Sequence, residues 1–134
     1  SNDGIKMRKV FSVVFTGLVL ALSSCANAHG YQTESVDKFA TTIATPSVVV
    51  IDVRTPEEYA TGHIPNSINI NVESADFDSQ ISTVDKNSSV AVYCHSGRRS
   101  AIAAGKMMEL GFTQVHNLDG GISAWVASGR QVVQ

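Results

Sequence analysis

Val48-Val49-Val50-Ile51-Asp52-Val53 is a nearly unbroken β-branched run, with Asp52 its one polar member. A strand of that kind has no face to give to water and belongs inside a sheet covered on both sides. Ser89-Val90-Ala91-Val92-Tyr93 is a second run of the same type, and the stretches around the two carry helical periodicity. Ahead of the first, Val36, Phe39, Ala40 and Ile43 share one helical face. After it, Thr55-Pro56-Glu57-Glu58 opens a helix: threonine sits at the N-cap, proline in the first helical position and glutamate three residues beyond the cap, with Gly62 as the stop. Residues 67–71 suit a short strand, and Phe77, Ile81 and Val84 mark the next helix. Ala103, Met107 and Leu110 line another, ended by Gly111; residues 114–117 suit a last short strand, and Ile122, Trp125 and Val126 belong to a closing helix.

Strands alternating with helices across short connections predict an α/β domain, a parallel sheet flanked by helices on both faces. Such sheets bind their ligands at the carboxyl ends of the strands. Cys94 follows the second buried run directly and so stands at that end.

The 134 residues leave room for one ordinary domain. Residues 1–28 are set aside from it: Ser1 to Lys6 read as a cloning remnant, and Met7-Arg8-Lys9 followed by the apolar residues 10–22 as a secretory signal. That apolar run, interrupted by Thr16 and Gly17, is shorter than the roughly 20 residues a membrane span requires. Export to the periplasm or cell envelope without a membrane span is expected. Two processing sites compete: Ala26-Asn27-Ala28 has the small-x-small form of a soluble export signal, while Leu22-Ser23-Ser24-Cys25 resembles a bacterial lipobox and would make Cys25 a lipid anchor. Residues 29–134 then form a single domain, expected to be a monomer. The net charge of −2 becomes more acidic once Lys6, Arg8 and Lys9 leave with only Asp3, which excludes a basic nucleic-acid binder.

Two cysteines cannot build a disulfide scaffold, and no Cys/His cluster has zinc-ligand spacing, so no metal site is expected. Processing after Ala28 leaves Cys94 as the sole cysteine. A lone thiol is most often a small buried hydrophobe, but in an oxidising compartment it is a liability unless protected or used. Its neighbours favour use. Cys94-His95-Ser96-Gly97-Arg98-Arg99-Ser100 joins strand to helix, so backbone N–H groups and the positive helix end converge on one concavity. Such a loop binds an anion and favours thiolate, and the two guanidinium charges add to both effects. Gly97 supplies the tight curvature, and Arg98 and Arg99 offer paired donors to an oxyanion.

Three segments, in order, resemble the rhodanese-like sulfurtransferases, and within them the single-domain exported phage-shock type. Asp52-Val53-Arg54, Glu57-Glu58-Tyr59 and Gly62-His63-Ile64-Pro65-Asn66-Ser67-Ile68-Asn69-Ile70 are together similar to the family's first block. The Cys94 loop matches the second, and Leu118-Asp119-Gly120-Gly121-Ile122 with Trp125 the third. The resemblance implies a rhodanese-like fold, a five-stranded parallel sheet flanked by helices on both faces, with residues 31–34 as the candidate first strand. It also implies a chemistry: the Cys94 thiolate takes the outer sulfur of thiosulfate or a similar donor, expels sulfite, and passes the sulfur from a persulfide to cyanide or a thiol. His95, Ser96, Gly97, Arg98, Arg99 and Ser100 would hold the donor, with the arginines on its sulfonate. No metal or organic cofactor is required. The family commonly carries a basic residue at the fifth or sixth loop position; here both are arginine, and which one meets the donor stays open.

Other residues take plainer readings. His95 is expected to face solvent, ahead of steering an acceptor or carrying a proton; His63 belongs to a turn and His116 to an ordinary strand. Asp52 and Arg54 read as a structural pair bracing the sheet edge near the loop, and Trp125 as core. Cysteine phosphatases and arsenate reductases share the architecture but close a C-x5-R loop, which needs arginine where Ser100 stands and usually has histidine where Tyr93 stands. Arg99 makes the spacing C-x4-R, a smaller loop better fitted to sulfur than to a phosphoryl group. A sulfur carrier without turnover is the remaining rival, and turnover with a small acceptor separates the two.

Overall fold

The computed structural model describes residues 30–134. The expected leader, both processing sites and Cys25 lie outside the described residues. Five strands, β1 Gln32–Glu34, β2 Val49–Asp52, β3 Ile68–Asn69, β4 Ser89–Tyr93 and β5 Gln114–Leu118, alternate with five helices, α1 Val36–Ile43, α2 Pro56–Thr61, α3 Phe77–Ile81, α4 Arg98–Glu109 and α5 Gly121–Ala127. They form one sheet in the order β1-β5-β4-β2-β3, every neighbouring pair parallel. β4 is the central strand, with Ala91 registered on Val50 of β2 and on His116 of β5.

Strand alternation divides the core into two layers. Ile51, Val53, Val90 and Val92 face α3 and α4, where Phe77, Ile81, Ala103, Ala104 and Met107 close over them. Val50, Ala91 and Tyr93 face the other way and pack with Phe39 of α1 and Ile122 and Trp125 of α5. The Phe39 and Trp125 rings meet edge-on at 6.4 Å, a favoured aromatic geometry. With helices sealing both faces, each buried strand reads as a continuous apolar run instead of an alternating one.

Local chemistry sets the shorter elements. The α2 capping box forms as its sequence dictates: the Glu58 amide donates to the Thr55 hydroxyl and the Thr55 amide to the Glu58 carboxylate, both at 3.2 Å. α3 stops at Ile81, whereas the periodicity reaches Val84. The Ser82 and Thr83 hydroxyls bond back to the Asp78 and Gln80 carbonyls at 2.7 Å each and tighten the chain into a turn. Val84 still packs against the core from that turn. β3 is two residues long, and both main chain and side chain tie it to β2: the Ile70 amide donates to the Asp52 carbonyl at 2.9 Å, and Asn69 Nδ2 donates to the carbonyls of Asp52 at 3.0 Å and Arg54 at 2.9 Å. No described helix is long and apolar enough to cross a membrane.

Candidate active site

Cys94 is the first residue beyond β4 and is 1% exposed. Gly97 turns the chain from strand to helix at φ 107°, a left-handed conformation that suits glycine, and its amide donates to Cys94 Sγ at 3.0 Å. Burial pushes the thiol pKa up, but hydrogen bonds from the Ser100 hydroxyl and from the amides of Ser100, Gly97 and Ser96 outweigh it, so the pKa lies below the usual cysteine value. The twelve-residue α4 directs its positive end at the same loop. Loop hydrogen bonds, ahead of guanidinium charge, are thus the leading favourable causes of thiolate formation.

The loop is also held from outside. The carbonyls of Cys94 and His95 accept from the amides of Ile122 at 2.9 Å and Ser123 at 3.1 Å. This close approach requires Gly121: its φ is +62°, and a Cβ there would lie 2.5 Å from the His95 carbonyl carbon and oxygen and 2.6 Å from the Cys94 oxygen. Tying those carbonyls outward leaves the loop amides turned to the sulfur. Gly121→Ala is accordingly expected to cost at least about 1–3 kcal/mol of backbone strain. It should also move the pH inflection of Cys94 alkylation up toward the free-thiol value, roughly 8.5. Unfolding and alkylation measured on one sample check this, and an unmoved inflection refutes the coupling of α5 to the thiolate.

The two arginines have different surroundings. Arg99 donates to both oxygens of Glu58 in α2, at 2.8 and 2.9 Å, and lies 3.6 Å from Glu73. Arg99 holds the Glu58 carboxyl well below its usual range, at about 2, while Glu58 raises the Arg99 pKa, to which the nearby Cys94 thiolate adds. Arg99 therefore fastens α4 to α2. Arg98 is exposed and has no hydrogen-bonding or ionic side-chain partner among the described residues.

The first block is pinned by buried polar contacts. Arg54 Nη2 donates at 2.7 Å to Asp52 Oδ2 and at 2.7 Å to the Gly62 carbonyl, and its Nε lies 3.0 Å from Asp52 Oδ1. Asp52 closes β2 in register with Tyr93, the residue before Cys94, so the pair braces the carboxyl end of the sheet beside the loop, as read. The Tyr93 hydroxyl accepts from the Ile64 amide at 3.0 Å and lies 3.1 Å from Ser67 Oγ. His63 stacks on Tyr59 at 3.7 Å and pairs through its backbone with Val133 in an antiparallel bridge. His116 is more than an ordinary strand residue: its Nδ1 lies 2.7 Å from Glu34 Oε2, and the Thr42 hydroxyl donates to the other Glu34 oxygen at 2.8 Å. The Glu34 contacts fasten the edge strand β1, and nothing local in the sequence signals them. Trp125 is core, as read, and donates to the Gln131 carbonyl at 2.9 Å.

The family model of the rhodanese-like domain matches residues 35–128, a span that holds all three segments just described. The chain belongs to the rhodanese-like domain family. It is similar to a sulfurtransferase of Allochromatium vinosum, 37% identical over 89 residues that cover 66% of this chain and 81% of that one. It is also similar to the thiosulfate sulfurtransferase PspE of Escherichia coli, 40% identical over 70 residues, 52% of this chain and 67% of the relative. Among solved structures, a rhodanese-related protein from Thermoplasma volcanium superposes with a TM-score of 0.68 at 32% identity, covering 77% of this chain and 98% of that one.

Beside the Cys94 loop, this rhodanese-like domain carries an open cleft of about 630 Å³ that runs between α2, α5 and the C-terminal segment. His95 stands at its edge, exposed as expected, with Nε2 3.3 Å from the Ser123 hydroxyl.

Proposed function

We propose that the protein is a thiosulfate sulfurtransferase working through a persulfide on Cys94, acting as a monomer in the bacterial periplasm or envelope. The observation that carries this reading is the buried Cys94 sulfur, held by the Gly97 amide at 3.0 Å with its pKa lowered by the loop. A thiolate so placed attacks the outer sulfur of thiosulfate. The bond from Sγ to that sulfur forms, the S–S bond of the donor breaks, and sulfite leaves with the electron pair. Arg98 meets the sulfonate, and the loop amides stabilise first thiolate and then persulfide. An acceptor thiol or cyanide takes the outer sulfur and restores the thiolate. The three sequence segments that build the site come from one copy of the chain, which supports the monomer, and the basic-apolar leader supports export.

Thiocyanate formation from thiosulfate and cyanide tests this reading, together with the intact mass of protein treated with thiosulfate alone, which should rise by one sulfur atom. Absence of both results, or phosphate release from a phosphatase substrate in their place, overturns it. Turnover with cyanide also excludes a carrier without catalysis.

The arginines give a sharper expectation. Arg98→Ala should lower kcat/KM for thiosulfate tenfold or more, about 1.4 kcal/mol of transition-state stabilisation, with little change in unfolding midpoint. Arg98→Lys should recover part of that, since an ammonium supplies charge without the planar fork of donors. Arg99→Ala should act mainly on stability by freeing α2 from α4. Equal kinetic losses in both alanine variants, with unfolding unchanged, would refute the division of roles.

A further inference from the structure

We propose that the cleft beside the Cys94 loop is the acceptor subsite, that it takes a low-molecular-mass organic thiol by its apolar body, and that His95 removes the thiol proton during sulfur transfer. This rests on Cys94 being the persulfide carrier. A volume of about 630 Å³ lies within the range of sites for small organic ligands, roughly 300–1,000 Å³. Thiosulfate, cyanide and sulfite fill only a corner of it. Its carbon-rich wall comes from Ile122, Val126 and Ala127 of α5 and from Val132, and Val126 is 53% exposed despite being apolar. Val132 is held in place by the His63–Val133 bridge, two amide-to-carbonyl hydrogen bonds of 2.8 Å, and by the Trp125 bond to Gln131.

Charge complementarity selects the occupant. Two charged side chains reach the cleft, and each is neutralised within the protein: Arg54 by Asp52 and Glu58 by Arg99. An uncharged, largely apolar body meets no unpaired charge there, whereas an inorganic anion gains nothing from that wall. At the loop end stands His95, adjacent to Cys94, with the Ser123 hydroxyl of α5 3.3 Å from Nε2. Of the charged and titratable groups nearby, Cys94, Arg98 and Arg99 belong to the same loop, and Glu58 and Arg54 line the same cleft. In the step itself, the thiol sulfur bonds to the outer sulfur of Cys94–S–SH and the Sγ–S bond breaks. The electron pair stays on the Cys94 thiolate, which the loop stabilises. The product leaves as the organic persulfide, and the thiol proton passes to the imidazole of His95.

The test separates loading from unloading. The protein is loaded with thiosulfate, checked by intact mass, freed of donor, and unloaded under rapid mixing with benzyl thiol, 2-mercaptoethanol or sulfite. Benzyl thiol should half-saturate unloading at a tenfold or more lower concentration than 2-mercaptoethanol, a thiol of similar acidity without the apolar body. Val126→Asp, on an exposed position, should erase that preference. His95→Gln should lower the ratio of thiol-driven to sulfite-driven unloading tenfold or more, because sulfite dianion brings no proton, and the ratio should recover at a pH where the thiol ionises in solution. No preference for benzyl thiol, or a preference that survives Val126→Asp, overturns the subsite. An equal slowing with thiol and sulfite in His95→Gln overturns the proton transfer. Failure of the parent to load at all overturns the persulfide reading, and this proposal with it.

Discussion

Cys94→Ser is expected to leave no sulfur transfer from thiosulfate above the uncatalysed background. The reaction needs a group that is anionic near neutral pH, attacks sulfur, and then carries a second sulfur as a stable persulfide. A serine hydroxyl does none of these. The variant should still fold, because the replaced side chain is small and the loop is held independently by the Ile122 and Ser123 amides on its carbonyls. Measurements of thiocyanate formation, intact mass after thiosulfate treatment, and thermal unfolding of parent and variant check the three statements together. A variant that keeps its unfolding midpoint and a parent-like rate would refute the mechanism. The sign of the parent's pH dependence follows from the same group. Its thiol pKa is depressed, so the reactive thiolate persists below the ordinary thiol range and is lost only as the pH falls through the lowered value.

Asp52→Ala is expected to destabilise the fold by about 3–5 kcal/mol, the usual cost of leaving one member of a buried ion pair uncompensated. Arg54 is 4% exposed and Asp52 fully buried, so the stranded guanidinium keeps only the little contact with water that the margin of the cleft allows. Burial alone would lower the Arg54 pKa, and the hydrogen bonds and charge of Asp52 more than reverse that. Against a typical total stability of about 5–15 kcal/mol, the loss is severe. Urea unfolding gives the number. Asp52→Asn, which keeps acceptor geometry but removes the charge, should fall between parent and alanine variant. A change within about 1 kcal/mol for Asp52→Ala would mean that water or backbone carbonyls already solvate Arg54, and that the pair does not hold the Gly62 turn.

Much of the architecture was legible because the responsible forces are local or periodic. The run at residues 48–53 could only be an interior strand, and it is β2; Thr55-Pro56-Glu57-Glu58 dictated the start of α2 through its own cap. The loop from Cys94 to Ser100 was readable for the same reason: a buried strand, a glycine and an amphipathic helix in succession force a junction with inward amides. Val84 marks the limit of that reasoning. Its spacing continues the α3 pattern, yet the hydroxyls of Ser82 and Thr83 bent the chain one turn earlier, and Val84 packs on the core only partly buried.

The sequence by itself therefore determined the parallel α/β class, the two-faced burial of the sheet and the position of Cys94 at the end of its central strand. Each follows from hydrophobic period, capping residues or a glycine whose effect is felt within a few positions. Tertiary structure alone decided which arginine is free, since Arg99 meets Glu58 from 41 residues away and a guanidinium carries no mark of its partner. It decided that Gly121 presses on the backbone of Cys94 and His95, that His116 meets a carboxylate 82 residues distant, and that α5 and Val132 enclose a cleft beside the loop. Those contacts join segments brought together by the strand order, and strand order depends on how whole helices pack across the sheet, for which no single stretch of sequence holds a signal.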